Sequence, residues 1–382
     1  MSLRIAILGQ FPFAAAPPVG GVQSVIANLR DELARKDEIE LHLIQHRRGV
    51  PAGTFRREGW TEHNLAAREA RLIPNMMRTP RLLRPLLASL APDVISSHQP
   101  EYAATALGMG LPTLHTIHGF PGQEFWTRQG AFTRAATLWE VWQERYTLRR
   151  ARHIVAISDQ VIQRYRHRTR AQFYRINNPI APLFFQPAPP PHPFHVLMVG
   201  HLNKRKGIDV AIRTIALLRP RFPHIRLEII GRMDVDPAFT QYVQALAAPL
   251  GDAVQFLGPT DQPGIRTAME RAQIFLLTSR MENAPMVIAE AMATARPVVA
   301  TEVGGVASMV MAGETGCLAP SEDVQALAAC LERLLSQPHH AARLGANAAR
   351  FARHNYHPGA VAEAYLRALH AAKINVTTKV CR

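Results

Sequence analysis

The chain is short of charge, of aromatic residues and above all of cysteine, and each shortage narrows what it can be. Charged residues make up 19% and aromatic residues 7% of the 382 positions, against 47% hydrophobic. That is the composition of a chain that builds a core, with no bias toward disorder. No apolar stretch reaches about 18 residues, so no transmembrane helix is expected. The opening residues, MSLRIAILGQF, hold an apolar run too short for the hydrophobic region of a signal peptide, and they read as a first β-strand. The three cysteines, Cys317, Cys330 and Cys381, form neither a disulfide framework nor a metal-ligand spacing. That usage fits a reducing cytoplasm, and a cytoplasmic location is expected. Acidic residues are also few beside basic ones, which leaves a net charge of +15. Through Pro187 there are 24 Lys or Arg against 14 Asp or Glu, and beyond it 20 against 15, so the excess sits in the first half. Anionic membrane lipid, a phosphorylated substrate or nucleic acid could each answer such an excess. An arginine-rich proteome would produce it without any partner.

What is present is a regular alternation of short apolar runs with helix-like stretches. Strand-like runs stand at 3–8, 39–44, 93–97, 112–118 and 153–158, with helical patterns between them. The helix after the first strand places Val22, Val25, Ile26, Leu29 and Leu33 on one face. This is the βαβ pattern of a parallel sheet. Asn177-Asn178-Pro179-Ile180 and the proline-rich FFQPAPPPHPF read as a stiff crossing into a second domain. That domain starts at His195 and continues through strands at 226–231, 254–258, 274–277 and 297–300. After Ser321 the pattern is helical to near Lys373, with breaks at Pro338 and Pro358. The expected domains are 1–187 and 188–358, both α/β and Rossmann-like. Two stretches suit a membrane surface as well as a core. One is Asn75–Leu90, basic and apolar by turns, for which packing on the sheet is the stronger reading. The other holds Phe125, Trp126, Trp139 and Trp142 beside Arg134, Arg145, Arg149 and Arg150; here core packing is the default for each tryptophan.

The densest pattern runs from Phe275 to Val306, FLLTSRMENAPMVIAEAMATARPVVATEVGGV. An apolar strand turns through Thr278, Ser279 and Arg280. A helix begins near Pro285, whose missing N–H costs nothing in a first turn. Glu282 then lies in the strand-to-helix loop and Glu290 deeper along the helix. Both stand at the carboxyl end of a parallel strand, where open α/β sheets bind ligands. The backbone N–H groups of Asn283, Ala284 and Met286 suit an anion or a sugar hydroxyl. Taken whole, S-R-x-E-x-x-P-x-x-x-x-E-A-M-A-x-x-x-P-V-V-A-T followed by G-G-V resembles the retaining glycosyltransferases of family 4. That resemblance implies the GT-B fold, two Rossmann-like parallel-sheet domains facing a central cleft. It also implies a last helix, 359–382, that packs back on the first domain.

Other positions carry chemistry of the same kind. Gly200-His201-Leu202-Asn203-Lys204-Arg205-Lys206-Gly207 puts three consecutive cations at a helix entrance, suited to a diphosphate. It is similar to the family's G-R-L-x-x-x-K-G segment, which implies that Lys206 meets the leaving diphosphate. His201 stands where relatives have arginine; either Arg205 or Lys204 supplies that charge, or His201 contributes when protonated. Gly20-Gly21 opens the first helix and allows phosphate to approach, and the resemblance brings Gly21 near the donor diphosphate. His118 ends the fourth first-domain strand beside Gly119; the resemblance implies that it hydrogen-bonds the donor sugar at the reacting centre. Arg232 and Leu257 end two further strands and by position could line the nucleotide base. Ala295 replaces a usual glycine, and Ser308 a frequent glutamate.

These readings imply a retaining, metal-independent transfer of a sugar from a nucleotide diphosphate sugar to a glycan or lipid-linked acceptor of the cell envelope. No cofactor and no metal ligand is expected. The catalytic pair would be His118 and Glu282, with Glu290 on the ribose. Contact with an anionic membrane surface, on its inner face, would suit the basic first half. A nucleotide-sugar epimerase or phosphorylase on the same fold stays open, because fold alone does not settle function. A nucleic-acid-binding protein would need basic residues on one face and aromatic stacking platforms, and no such motif is seen.

Overall fold

The structure, a computed structural model, describes residues 2–14, 16–18, 20–67, 75–120 and 131–377. Its contacts form two compact units, Met1–Pro179 together with Pro358–Arg382, and Ile180–His357.

The first unit is an eight-stranded sheet in the order β3-β4-β2-β1-β5-β6-β7-β8. In chain order its elements are β1 (Leu3–Leu8), α1 (Gly21–Leu33), β2 (Ile39–Gln45), β3 (Gly53–Arg57), β4 (Trp60–Asn64), α2 (Asn75–Leu90), β5 (Val94–Ser97), α3 (Pro100–Gly108), β6 (Thr113–Ile117), α4 (Ala131–Arg150), β7 (His153–Ala156), α5 (Asp159–Tyr165) and β8 (Gln172–Arg175). All neighbours are parallel except β3 and β4, an antiparallel edge pair. The central strands are apolar throughout because helices cover both faces. Leu83 and Leu87 of α2 are buried against Ile44, Ile95, Tyr102 and Ala106. The helix thus packs on the sheet, and its two internal prolines do not end it. The β3–β4 hairpin and β8 are elements that the apolar-run pattern does not reveal. β3 and β8 carry no buried residue, and the buried residues of β4, Glu62, His63 and Asn64, are polar, so no hydrophobic signal marks them.

The second unit is a six-stranded, all-parallel sheet in the order β11-β10-β9-β12-β13-β14. Its elements are β9 (His195–Val199), α6 (Ile208–Leu218), β10 (Arg226–Ile230), α7 (Pro237–Ala247), β11 (Val254–Gly258), α8 (Gln262–Arg271), β12 (Ile274–Leu277), α9 (Met286–Ala293), β13 (Val298–Thr301), β14 (Gly316–Ala319), α10 (Val324–Ser336) and α11 (Pro338–Tyr356). Strand side chains alternate between two cores. Val196, Met198, Ile274 and Leu276 face one, and Leu197, Val199, Phe275 and Leu277 face the other. That alternation, buried on both sides, is why HVLMV and IFLL read as unbroken apolar runs.

The chain leaves the first unit after Pro179, earlier than Pro187. Phe184 and Phe185 are buried in the second unit's core. Arg266 donates to the carbonyls of Phe184, Gln186 and Pro187, and Arg296 to that of Pro189. The first part of the proline-rich stretch is therefore a strap on the second unit, not a free linker. The last helix, α12 (Pro358–Thr377), returns to the first unit and packs on α1, β5 and β6.

Two expectations are corrected. Cys317 on β14 and Cys330 on α10 are joined by a disulfide. Their separation of 13 residues in sequence hid that α10 packs on β14. Cysteine usage therefore does not argue for a reducing compartment. Trp142 of α4 is not core: it is 52% exposed and stacks on Trp139. Phe125 and Trp126 lie outside the described residues. Among the described residues no helix is long and apolar enough to cross a membrane.

Candidate active site

In the second unit the strand order reverses between β9 and β12, so the loops after these two strands meet at the carboxyl edge of the sheet. The β9 loop carries the cations and the β12 loop carries Glu282. Asn203 caps a short 3₁₀ turn over Lys204–Lys206, its side chain accepting from the Lys206 N–H at 3.2 Å. Gly207 ends the turn at φ 64°, and a Cβ there would lie 2.0 Å from the Thr278 carbonyl oxygen. Only glycine permits both the left-handed backbone and that approach. Thr278 donates to the Gly207 carbonyl at 2.7 Å and completes the seam between the loops.

Three groups converge on Glu282. The Lys206 ammonium is 2.6 Å from Oε1 and the Arg205 guanidinium 3.3 Å from Oε2. Ser279 donates to Oε1 at 2.9 Å. Burial would raise the Glu282 carboxyl, but Lys206 and Arg205 outweigh it and hold it below its ordinary value. It is therefore an ionised carboxylate near neutrality. Arg280, given no role on sequence grounds, organises the loop from behind. It binds Asp209 through two bonds of 3.0 and 2.9 Å, donates to the Lys204 carbonyl at 2.5 Å, and pairs with Glu322. Its place between Ser279 and Met281 in the quoted motif, with Asp209 two residues after Gly207, was the available signal.

Pro285 is the N-cap of α9, one residue ahead of the expected first turn, and Met286 is the first helical residue. Asn283 and Ala284 lie in the bend before it. Glu290, one turn further on, is 6% exposed. Burial pushes its carboxyl up to about 7, and among the described residues no hydrogen-bond donor reaches it. Ala295 ends the helix at φ 57°, the left-handed position that glycine usually takes. Ser308 donates to the Gly305 carbonyl at 2.8 Å.

The surroundings of His201 disfavour its cationic form. Burial, and then Lys206 and Arg232, push its imidazole below its ordinary value. Its Nδ1 accepts from the Arg232 N–H at 3.4 Å, which leaves the proton on Nε2. Arg232 pairs with Asp234, and Leu257 is 46% exposed on β11. Asp234-Val235-Asp236 is a D-x-D sequence that the expectation of no metal ligand passed over. Asp236 caps α7 through the Phe239 N–H.

In the first unit Gly21 is the exposed first residue of α1, after Gly20 at φ 91°. His118 follows β6 and lines a cavity of about 770 Å³ together with His98, Arg47, Glu101, Glu144 and Phe120. Burial, reinforced by His115, pushes His118 down to about 3, so it is a neutral imidazole. Glu101, at the start of α3, is raised by burial to about 7. Glu144 is likewise raised by burial, and Tyr165 donates to it at 2.5 Å. Sequence reasoning missed both carboxylates, since neither falls in a motif and only the fold brings α3, α4 and β6 around one hollow.

The model of the family described as Glycosyltransferase Family 4 matches residues 19–211, just over half of the chain. The chain belongs to glycosyltransferase family 4. The model described as Glycosyl transferases group 1 matches residues 180–351, nearly all of the second unit. The amylovoran biosynthesis glycosyltransferase AmsK of Erwinia amylovora is 36% identical over 149 residues, 37% of this chain and 36% of that protein. The chain thus spans about a third of that relative's length in the match. A D-inositol 3-phosphate glycosyltransferase of Pseudarthrobacter chlorophenolicus is 27% identical over 326 residues, covering 76% of this chain and 77% of its own. Among solved structures, the sucrose-phosphate synthase of Thermosynechococcus elongatus superposes with a TM-score of 0.79 at 22% identity, covering 97% of this chain and all of that one. Anabaena HepE in complex with UDP-glucose gives a TM-score of 0.73 at 17% identity, again over 97% of this chain and all of that one. With the two parallel-sheet units, these likenesses show the GT-B fold.

Proposed function

We propose that this family 4 protein is a retaining, metal-independent glycosyltransferase that moves a sugar from a nucleotide diphosphate sugar to a glycan or lipid-linked acceptor of the cell envelope. The observation that carries the reading is the seam between the β9 and β12 loops, where Lys206 and Arg205 meet Glu282 and α9 presents a buried Glu290. The second unit is the donor domain in this reading. Lys206 and Arg205 neutralise the diphosphate, so that charge developing on the leaving group is met by fixed cations. His201 adds one neutral hydrogen bond from Nε2. Glu282 and the backbone at Asn283, Ala284 and Met286 hold the sugar, and Glu290 accepts from the ribose hydroxyls. Arg232 and Leu257 stand at strand ends beside the position of the base. The complex of HepE with UDP-glucose supports a uridine nucleotide as the first donor to try.

The first unit is the acceptor domain in the same reading. Its cavity is lined by Glu101 and Glu144, whose oxygens can accept hydrogen bonds from hydroxyl groups, and by Arg47. His118 serves the reacting sugar as a neutral hydrogen-bonding group, and Gly21 lets the diphosphate approach α1. With configuration retained, the leaving phosphate takes the acceptor's proton. Incubation with a panel of nucleotide sugars in the presence of a chelator tests this. Product with the donor's anomeric configuration, formed only when acceptor is added, supports it; inverted product, or conversion of the nucleotide sugar alone as by an epimerase, contradicts it.

A lipid-linked acceptor is favoured by one further observation. Leu138, Trp142, Arg145 and Arg149 of α4, spaced at helical turns, are all exposed. Packing places α2 against α3 and α3 against α4, and Arg81 and Arg84 of α2 are exposed too. Exposed basic and apolar positions of this kind suit the inner, cytoplasmic surface of an anionic membrane. Sedimentation with phosphatidylglycerol vesicles, lost in Trp142→Ala or at high salt, supports it; equal binding to zwitterionic vesicles, or none, contradicts it.

A further inference from the structure

Behind His118 the first unit carries a line of polar side chains with no part in the chemistry above. Tyr365 of α12 places its hydroxyl 2.8 Å from Ser96 Oγ on β5 and 2.8 Å from Thr116 Oγ1 on β6. Ser96 Oγ is 3.2 Å from His98 Nε2, and the Tyr365 hydroxyl is 3.4 Å from the same nitrogen. The other nitrogen of His98, Nδ1, lies 2.9 Å from His118 Nε2. The His98 ring is also nearly parallel to both neighbours, at 20° to His118 and 12° to Tyr365, with centroids 5.2 Å and 6.1 Å away. Exposure of Ser96, Thr116, Tyr365 and His98 is 0, 2, 2 and 3%.

Burial holds both His98 and His118 well below the usual histidine range, so both rings are neutral. Two neutral imidazoles at this distance share one proton, and each ring has one donor and one acceptor nitrogen. If His98 Nδ1 carries the shared proton, His98 Nε2 must accept from a hydroxyl, and His118 keeps its own proton on Nδ1. If His118 Nε2 carries it, His98 donates from Nε2 to the hydroxyl pair, and His118 Nδ1 becomes an acceptor. The direction of the Tyr365–Ser96 hydrogen bonds is therefore coupled, through His98, to the tautomer of His118. The hydrogen bond from ring to ring also limits the freedom of the His118 ring to turn.

We propose that His98 and Tyr365 are positioning residues that fix one tautomer and one orientation of His118, with Ser96 as the link between them. The consequence for activity rests on the proposed role of His118; the tautomer itself does not. The returning C-terminal helix would thus be part of the transfer machinery through a single hydroxyl.

Ring-nitrogen NMR of the full chain labelled at histidine tests this directly, with His118 signals assigned by their loss in His118→Gln. One neutral tautomer is expected for the wild type at neutral pH. Tyr365→Phe and His98→Phe are expected to move the His118 ring to the other tautomer or to a mixture. Unchanged His118 ring shifts in both would overturn the proposal. Ser96→Ala gives the same reading should His98→Phe fail to fold. Turnover of UDP-glucose, or of whichever nucleotide sugar the wild type consumes, gives the second readout. Tyr365→Phe and His98→Phe are expected to lower kcat about tenfold or more with donor KM within about twofold, and His98→Gln to restore part of the loss. If His118→Ala keeps full turnover, the role of His118 falls while the tautomer result still decides the positioning. If His118→Ala is inactive and both other variants match the wild type in kcat and ring shifts, the positioning alone falls.

Discussion

The ammonium of Lys206 lies 2.6 Å from Glu282 Oε1, and both side chains are largely buried. Neither position is independent of the other. Removing the cation leaves a desolvated carboxylate with only Arg205 and Ser279, and an unsatisfied buried group is costly. Lys206→Met is expected to lower the stability of the second unit by about 1–3 kcal/mol in urea denaturation. Stability equal to the wild type would mean that the pair is not formed.

The same carboxylate fixes an acid limb. Because Glu282 is held below its ordinary value, its stabilisation is present above the unfolded carboxylate range and is lost as pH falls through the folded value. In Glu282→Gln that part of the acid sensitivity is expected to vanish. Denaturation at pH 3.5 and at pH 6 compares the two proteins, and identical slopes would contradict the assignment.

Glu290 gives the opposite sign. Burial raises it to about 7, so between the unfolded carboxylate range and pH 7 the folded state holds the extra proton. Its contribution to stability therefore declines as pH rises through that window. Glu290→Gln is expected to exceed the wild type in stability at pH 8, by up to about 3 kcal/mol, and to match it near pH 4.5. Donor binding moves the other way, since an ionised Glu290 is the better acceptor for ribose hydroxyls. Calorimetry is expected to show tighter nucleotide binding at pH 8 than at pH 6.

Two backbone positions test the loop geometry. Gly207→Ala would place a Cβ 2.0 Å from the Thr278 carbonyl at a positive φ, so the β9 loop must shift. The expected cost is at least about 2 kcal/mol, together with loss of nucleotide binding. Ala295 at φ 57° already carries left-handed strain. Ala295→Gly relieves it and is expected to stabilise the chain by about 0.5–1 kcal/mol, after allowing for the entropy of glycine in the unfolded state. A thermal melt in which Ala295→Gly unfolds earlier than the wild type would contradict this.

Sequence pattern disclosed the elements that are apolar on both faces and little of what is polar. IFLL and HVLMV were visible because each is buried on two sides, and the loops that follow them were visible as motifs. The hairpin of β3 and β4 was not, since its outer strand is largely exposed and leaves no apolar trace. The Arg280–Asp209 clamp and the joining of Tyr365 to Ser96 and His98 escaped because the partners lie far apart in sequence and meet only in the folded chain. The Cys317–Cys330 bond was missed because the packing of α10 on β14 appears only in the fold. His201 was left open as a conditional cation, and its burial, followed by the nearness of Lys206 and Arg232, disfavours that form.

The central claim is that the β9 loop and helix α9 of the second unit grip a nucleoside diphosphate through Lys206 and Glu290. Calorimetric titration of the wild type, Lys206→Ala and Glu290→Ala with UDP, GDP and ADP tests it most directly. The account predicts saturable binding of at least one of them by the wild type and its loss in both variants, which keep their circular dichroism. Binding of equal strength in all three proteins, or no binding by the wild type, would contradict it.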